Sequence, residues 1–263
     1  MTHVTYQATS LRGLVKKLLP SAESKNVSLS NWISMRLLSK PVSGSDEAEQ
    51  VQHYLYGETV QPTFTLGISM PLSTDEVEAG EMGAYVNSRS LDTALGAFGQ
   101  HLVDVRFCPD GPLMLTSHDD NDEPVKTLMV GASTDDLPVM DEGLSTDCSL
   151  PDMLMLLDAL RSTVDVASVR GNSPLQQGVR IVLSPTYMKV ESASNDITAR
   201  TQYDEPWLQA PQHTHSVVLS IDAVRHLVAA LTAYGSSKPL CFACSDEGVT
   251  IHTEGVCMDC HSC

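Results

Sequence analysis

The sequence predicts an α+β fold made of two copies of one domain, each with two helices packed on antiparallel sheets. The first observation is an internal repeat, because LDTALGAFGQHLVDVRFCPD at 91–110 aligns without a gap with LVAALTAYGSSKPLCFACSD at 227–246. The second is that the halves also begin alike, with SLRGLVKKL at 10–18 matching SLPDMLMLL at 149–157. We therefore expect helix, strands, helix and strands in each half, with domains at 1–143 and 144–263.

The first helix of each half is predicted from apolar residues at helical spacing. Residues at i, i+3, i+4 and i+7 form one stripe along a helix and bury that face against the domain. The predicted stripes are Leu11, Leu14, Val15 and Leu18 in the first half, and Leu150, Met153, Leu154 and Leu157 in the second.

Short strands are predicted between the two helices of each half, bounded by polar segments. They lie at 32–39, 53–60 and 63–69 in the first half, and at 178–184, 188–194 and 197–203 in the second. The stretches PVSGSDEAEQ at 41–50 and YDEPWLQAPQHTH at 203–215 are predicted to be loops, because they are rich in Pro and polar residues.

The repeat itself predicts a second helix followed by a hairpin in each half. Its apolar positions follow helical spacing and stop at Gly99 in the first copy and Gly235 in the second. Glycine is common just after a helix because it adopts the left-handed conformation without strain. Each copy then has two extended segments around a turn, VDVRF and LMLTS in the first and LCFAC and VTIHT in the second.

Charge and composition limit the class of protein. The chain has 33 acidic and 16 basic residues, a formal net charge of −17, so contact with nucleic acid requires a local basic patch. No apolar run is long enough to span a membrane. The start of the chain lacks the pattern of a secretory signal, so we expect a cytoplasmic protein with reduced cysteines.

The duplicated pattern resembles the DNA sliding clamps, the bacterial β clamp more than the eukaryotic proliferating cell nuclear antigen. TLMVGASTDDLPVMDE at 127–142 is similar to the end of a first β-clamp domain. GVRIVLSPTYMKVESAS at 178–194 and the helix and strands after it are similar to the last domain of that family.

The resemblance implies a processivity factor without catalytic activity. In this family six domains form a closed ring with helices lining the hole, and the ring encircles double-stranded DNA and tethers replication proteins. A β-clamp chain supplies three domains and dimerises, whereas this chain supplies two, so a homotrimer would close the ring. The implied partners are duplex DNA, and a DNA polymerase and a clamp loader that bind through short peptide motifs.

The resemblance also implies site residues by position. The basic residues on the four predicted helices would face DNA, and residues of the linker and the terminal strand would hold partner peptides. The DNA-binding candidates are Arg12, Lys16, Lys17, Arg89, Arg161 and Arg225, and the peptide-binding candidates are Leu137, Pro138, Val139, Val256 and Met258. The alternative for each basic residue is an ordinary solvated helix face.

The chain departs from the family on the first helix of its second half. Asp152 and Asp158 accompany Arg161 there, so the predicted DNA-facing surface is less positive than in a typical clamp.

The C-terminal cysteines admit a zinc interpretation that the predicted strands oppose. Cys241 and Cys244, and Cys257 and Cys260, form two C-x-x-C pairs with a spacing found in zinc ribbons. In a strand, however, the members of each pair point to opposite faces. We therefore expect free thiols and no metal. The C-x-x-C-H pattern at 257–261 also matches a haem-attachment motif, but we expect no haem, since such attachment occurs in exported proteins and no export signal is present.

No catalytic motif is present, so we expect neither an enzyme nor a cofactor. The acidic stretch SHDDNDEP at 117–124 lacks the spacing of a calcium loop and is better interpreted as a hairpin connection. His213 and His215 could be metal ligands at alternate positions, but entry into a strand is the better interpretation.

Two further functions stay open beside the sliding clamp. The acidic first helix of the second half favours a clamp-like scaffold or regulator that no longer encircles DNA. The terminal cysteines leave a zinc-binding module as the third alternative.

Overall fold

The computed structural model describes residues 3–22, 32–41, 51–61, 63–72, 83–108, 112–118, 123–133, 146–167, 178–194, 196–235, 238–245 and 248–262. The chain forms two compact units. Unit 1 comprises Met1–Val60 and Gly67–Val139, and unit 2 comprises Gln61–Leu66 and Met140–Cys263. The predicted domain boundary after residue 143 falls outside the described residues and stays a prediction.

Unit 1 contains two helices and the first nine strands. Its elements are β1 (His3–Gln7), α1 (Ala8–Ala22), β2 (Trp32–Pro41), β3 (Val51–Gln61), β4 (Phe64–Pro71), β5 (Gly83–Asn87), α2 (Ser88–Phe98), β6 (Leu102–Phe107), β7 (Leu113–His118), β8 (Pro124–Val130) and β9 (Ala132–Ser133). One sheet has the strand order β1-β6-β7-β8, and a second contains β4-β3-β2-β5-β9. The start of β4, up to Leu66, belongs to unit 2.

Unit 2 repeats this arrangement with the remaining elements. They are β10 (Cys148–Leu150), α3 (Met153–Val164), β11 (Gly178–Ser184), β12 (Tyr187–Ala193), β13 (Thr198–Asp204), β14 (His215–Ser220), α4 (Ile221–Tyr234), β15 (Leu240–Cys244), β16 (Gly248–Thr253) and β17 (Val256–His261). Its sheets have the orders β10-β15-β16-β17 and β13-β12-β11-β14, and the start of β4 pairs beside β17.

The duplication predicted from the sequence is confirmed by the order of elements. In both units one strand precedes the first helix, four strands separate the helices and three longer strands follow the second helix, and unit 1 adds the two-residue strand β9. The sheet β1-β6-β7-β8 corresponds to β10-β15-β16-β17, and β4-β3-β2-β5 corresponds to β13-β12-β11-β14. The fold is therefore α+β with antiparallel sheets, as predicted.

The predicted strands are present, and several short strands were missed, among them the two-residue strand β9. The stretches predicted at 32–39, 53–60, 63–69, 178–184, 188–194 and 197–203 lie in β2, β3, β4, β11, β12 and β13. The missed strands β1, β5 and β10 have three to five residues each, and each ends at most three residues before a helix begins. Such short segments carry too little alternation to be distinguished from a helix start.

The stripe predicted for the first helix of the second half was wrong. Leu150 lies in β10, and Leu154 is 42 % exposed. The helix begins later because Asp152 caps it, with its side chain accepting a hydrogen bond from the backbone N–H of Leu154. The residues that α3 buries at stripe positions are Met153, Leu156, Leu157 and Leu160, which correspond in spacing to the buried Leu11, Leu14, Val15 and Leu18 of α1.

Both second helices end at the glycines that the repeat predicted. Gly99 and Gly235 have positive φ angles of 64° and 57°. At their starts, Asn87 and Ser220 accept a hydrogen bond from a backbone N–H of the first turn. No helix in the described part of the chain is long and apolar enough to cross a membrane.

Candidate nucleic-acid interface

In unit 1 an ion pair links the two helices. Nε of Arg12 on α1 donates to Oδ1 of Asp92 on α2 at 2.7 Å, and Nη2 donates to Oδ2 at 3.2 Å. The guanidinium lies over Gly96, where a Cβ atom would come within 3.3 Å of Arg12 Cζ. This geometry fixes Arg12 across the helix pair, and the hydrogen bond from Arg12 lowers the pKa of Asp92.

The other predicted basic residues of unit 1 lie on the same two helices. Lys16 and Arg89 are exposed, and Lys17 is half-buried. We call Arg12, Lys16, Lys17 and Arg89 the basic helix group. Because α1 and α2 otherwise carry one charged residue, Asp92, four positive charges and one negative charge give this helix pair a net charge of +3.

The helix pair of unit 2 has no such surplus. On α3 and α4 the positive charges of Arg161 and Arg225 are matched by Asp158 and Asp222. Arg161 Nη2 donates to Thr232 Oγ1 at 2.8 Å, which links the two helices as Arg12 does in unit 1. The contrast in charge between the two helix pairs agrees with the departure seen in the sequence.

His226, next to Arg225, has a packing role in unit 2. Its ring stacks on Phe64, with the ring centroids 5.8 Å apart and the planes inclined by 14°. Nη1 of the exposed Arg225 lies 3.9 Å from Oδ1 of Asp222 in the first turn of α4.

Three further basic residues surround a buried carboxylate that the sequence did not single out. Glu191 on β12 is 6 % exposed. Arg180 and Arg200 face it from the two neighbouring strands, and Lys189 lies two residues before it. A nitrogen atom of Arg180 lies 3.5 Å from a carboxylate oxygen of Glu191. The corresponding distance is 3.2 Å for both Arg200 and Lys189. Ser192, on the opposite face of β12, donates to the carbonyl of Thr163 in α3, so this cluster lies on the sheet face turned away from that helix.

The predicted peptide-binding residues divide into two groups. Leu137, Pro138 and Val139 lie outside the described residues. Val256 and Met258 on β17 are 5 % and 1 % exposed, so their side chains belong to the core of unit 2. Their role in binding a peptide stays a prediction, and at this burial they offer a peptide little side-chain surface.

Two exposed edge strands were not identified from the sequence. β8 ends one sheet of unit 1, and β13 ends one sheet of unit 2. On β8, Val125 and Met129 are 68 % and 65 % exposed, and beside β13 Ile197 is 60 % exposed. Lys126, on the other face of β8, donates to the carbonyl of Ala97 at 3.0 Å, so Val125 and Met129 face away from α2.

The cysteine pairs are arranged as strands require. Cys241 and Cys244 lie on β15 at positions of opposite parity, so their side chains point to opposite faces. Cys244 and Cys260 share a face but have β16 between them, because both are opposite Val249. Two strand spacings separate them by about 10 Å. The two C-x-x-C pairs therefore do not form one four-cysteine site.

Solved structures of bacterial sliding clamps are similar to the whole chain. The DNA polymerase III subunit beta from Pseudomonas aeruginosa matches with a TM-score of 0.78 and 12 % identity, over 99 % of this chain and 64 % of that chain. The sliding clamp from Bacillus subtilis matches with a TM-score of 0.75 and 12 % identity, over 100 % of this chain and 64 % of that chain.

A third similar structure is the Helicobacter pylori beta clamp bound to a DNA ligase peptide, with a TM-score of 0.69 and 12 % identity, over 99 % of this chain and 66 % of that chain. This chain thus spans about two thirds of the length of these clamps. No protein-family model and no curated protein matches the chain by sequence. The chain has the sliding-clamp fold.

Proposed function

We propose that this chain, whose full length has the sliding-clamp fold, is a two-domain sliding clamp that encircles duplex DNA and tethers replication proteins without catalysing a reaction. The observation that carries the proposal is the basic helix group, a net charge of +3 on one helix pair of a protein whose net charge is −17. Such a local patch is what a strongly acidic protein needs to hold DNA.

Ring closure is proposed to occur through the edges β8 and β13. In unit 2, β17 pairs with the start of β4. The counterpart of β17 in unit 1 is β8, and the counterpart of β4 in unit 2 is β13. A β8–β13 pair between two copies would therefore repeat a pairing that the chain already makes, and it would cover Val125 and Met129.

Three copies would give the six domains that a clamp ring contains. The contact is heterologous, since each copy offers β8 to one neighbour and β13 to the other. Such a contact forms a closed ring when the rotation between copies closes, and we propose a homotrimer for this reason. Unpaired edges are an aggregation hazard in a free protein, which also favours a partner for each edge.

Replication proteins are proposed as partners that bind through short peptides, with a polymerase and a clamp loader foremost. One of the similar clamps was solved with a DNA ligase peptide. The linker residues Leu137, Pro138 and Val139 are the part of the predicted pocket that we propose contacts such peptides. The buried Val256 and Met258 would then support that pocket from within the core.

The proposal is tested by topological retention on DNA. Dilute protein is concentrated in the presence of circular duplex DNA, the complex is isolated by gel filtration, and half of it is linearised with a restriction enzyme. A ring that encircles DNA stays with the circle and slides off the linear form. Retention that survives linearisation, or no retention on the circle, would contradict encirclement.

A matched pair of variants assigns the retention to the helices. Lys16→Gln with Lys17→Gln removes two positive charges from α1, whereas Arg106→Gln with Arg180→Gln removes two from sheet strands that are not the proposed contact edges. If each lysine contacts a phosphate, the first pair lowers the slope of log affinity against log salt by about 1.8. The second pair is expected to leave the slope unchanged, and the reverse result would show that the helices do not face DNA.

The second candidate is a clamp-like scaffold that does not encircle DNA. The observation in its favour is the lack of positive surplus on α3 and α4, where Asp158 and Asp222 balance the two arginines. A scaffold would bind replication peptides but show equal, weak retention on circular and linear DNA. The linearisation experiment separates the two candidates directly.

A further inference from the structure

A cluster of three potential metal ligands lies in unit 2 and shares one residue, Cys244, with the C-x-x-C pairs. It consists of Asp147, His215 and Cys244, whose ligand atoms all lie within 4.8 Å of one another. All three residues are half-buried. They lie far apart in the sequence, just before β10, at the start of β14 and at the end of β15.

Backbone hydrogen bonds hold two of the three ligands in place. The N–H of Asp147 donates to the carbonyl of Phe242 at 2.8 Å. The N–H of Cys244 donates to Oδ2 of Asp147 at 2.6 Å, which fixes the carboxylate beside the thiol. The hydrogen bond thus orients the carboxylate, which can still offer an oxygen to an ion.

The third ligand comes from the other sheet of unit 2. His215 pairs with Leu183 at the end of the β11–β14 ladder. On β11 the residues of this face, such as Ile181, are buried, so the imidazole is turned toward the interior between the two sheets. The cluster therefore bridges the sheet that contains β15 and the sheet that contains β14.

A cavity adjoins the cluster and has room for solvent. Its volume is about 300 Å³, and its lining includes His215 and Cys244. The rest of the lining is mixed, with apolar residues such as Ile181 and Val249 and hydroxyl groups such as that of Ser262. A volume of this size holds several water molecules, and one of them could complete a coordination shell.

We propose that Asp147, His215 and Cys244 bind a divalent transition-metal ion, Zn²⁺ by their ligand chemistry, with a water molecule from the cavity as the fourth ligand. Thiolate, imidazole and carboxylate are the three side-chain ligands that zinc uses in proteins, and three protein ligands with one open position form a tetrahedral site. Hard ions such as Mg²⁺ and Ca²⁺ require oxygen ligands instead.

The geometry requires a small adjustment. Zinc bonds of about 2.0 to 2.3 Å place neighbouring ligand atoms less than about 4 Å apart, so binding would draw the three atoms together by about 1 Å. Burial and, second, the charge of Asp147 raise the pKa of the Cys244 thiol to about 11. A bound cation favours the thiolate, because the metal replaces the proton on sulfur and the proton passes to solvent, so binding should release a proton.

The site differs from the one that the cysteine spacing suggested. It uses one cysteine, Cys244, whereas Cys241 on the same strand points to the opposite face. His215, interpreted from the sequence as a strand-entry residue, does begin β14 and is also a ligand in this proposal. A metal held here would join the two sheets of unit 2.

The test is a cobalt titration of the full chain after treatment with a chelator. Co²⁺ is a spectroscopic substitute for zinc, and a thiolate ligand produces a charge-transfer band that water and carboxylate do not. We expect one equivalent to bind, with a thiolate band, and Zn²⁺ to displace it. The absence of saturable binding, or binding without that band, would overturn the proposal.

Variants identify the ligands. Cys244→Ser is expected to abolish the thiolate band, and His215→Gln to weaken Zn²⁺ binding at least tenfold, whereas Cys241→Ser keeps both properties. Loss of the band in Cys241→Ser, or its persistence in Cys244→Ser, would contradict the assignment. Circular dichroism checks folding, and if Cys244→Ser does not fold, the decision rests on whether Zn²⁺ raises the Tm of wild type and not of His215→Gln.

Discussion

Replacement of Glu58 by glutamine is expected to stabilise the protein in a way that depends strongly on pH. Glu58 lies on β3 opposite Ser34 and is 2 % exposed. Burial raises the pKa of its carboxyl group from 4.5 to about 7, against the opposing effects of the Arg36 charge and a hydrogen bond with Tyr56. Below about pH 7 the carboxyl group is therefore mostly neutral in the folded protein.

The sign and size of the effect follow from linkage. Between the unfolded and folded pKa values, the folded state holds a proton that the unfolded state has lost, so stability falls as pH rises through this window. At 1.36 kcal/mol per pKa unit, the carboxyl group of Glu58 lowers the free energy of unfolding, relative to a permanently neutral group, by about 1 kcal/mol near pH 5 and about 3 kcal/mol near pH 8. Glutamine imitates the neutral carboxyl group and removes this cost.

The assay is urea unfolding of wild type and Glu58→Gln across that pH range. The difference in the free energy of unfolding should favour the variant and grow by about 2 kcal/mol from about pH 5 to about pH 8. Asp92→Asn is the control, because Arg12 lowers the pKa of Asp92 and its carboxylate is ionised in both states over this range, so its effect should not vary. A pH-independent difference for Glu58→Gln, or a less stable variant near pH 8, would refute the reasoning.

Three further experiments test the local interactions of the fold. A double-mutant cycle of Arg12→Ala and Asp92→Ala should give a favourable coupling energy that falls as the salt concentration rises, because the pair is partly exposed. No coupling would mean that the pair does not form in solution. Ser220→Ala removes the cap of α4 and should cost about 1 kcal/mol in urea unfolding, and an unchanged midpoint would contradict the cap. Gly248→Ala should lower the Tm and reduce the free energy of unfolding by more than about 1 kcal/mol, since the added Cβ would overlap the carbonyl oxygen of Cys260. An unchanged Tm would contradict that close approach.

The sequence predicted the duplicated architecture because each copy carries strong periodic signals. The stripe of α1 and the glycines that end α2 and α4 depend on residues close together in the chain. The stripe of α3 was misplaced since Leu150 and Leu154 also fit helical spacing, although one lies in β10 and the other is exposed. An apolar residue at the right spacing does not reveal whether it precedes the helix cap.

The candidate site was less predictable because its parts meet only through the tertiary fold. The sequence supplied the basic residues of α1, but not the bond from Arg12 to Asp92, which joins residues 80 positions apart. The cluster of Asp147, His215 and Cys244 likewise comes from three separate segments, so spacing directed attention to the C-x-x-C pairs instead. Edge strands such as β8 are recognised only when the strand order is known.

The mass of the protein in solution tests the central claim, a ring closed through β8 and β13, most directly. Light scattering at micromolar concentration should give three times the chain mass of 28.4 kDa for wild type. Val125→Lys with Met129→Lys places two charges on the exposed face of β8 and should give the mass of a single folded chain. A wild-type protein with the mass of one chain, or a variant that keeps the threefold mass, would contradict the account.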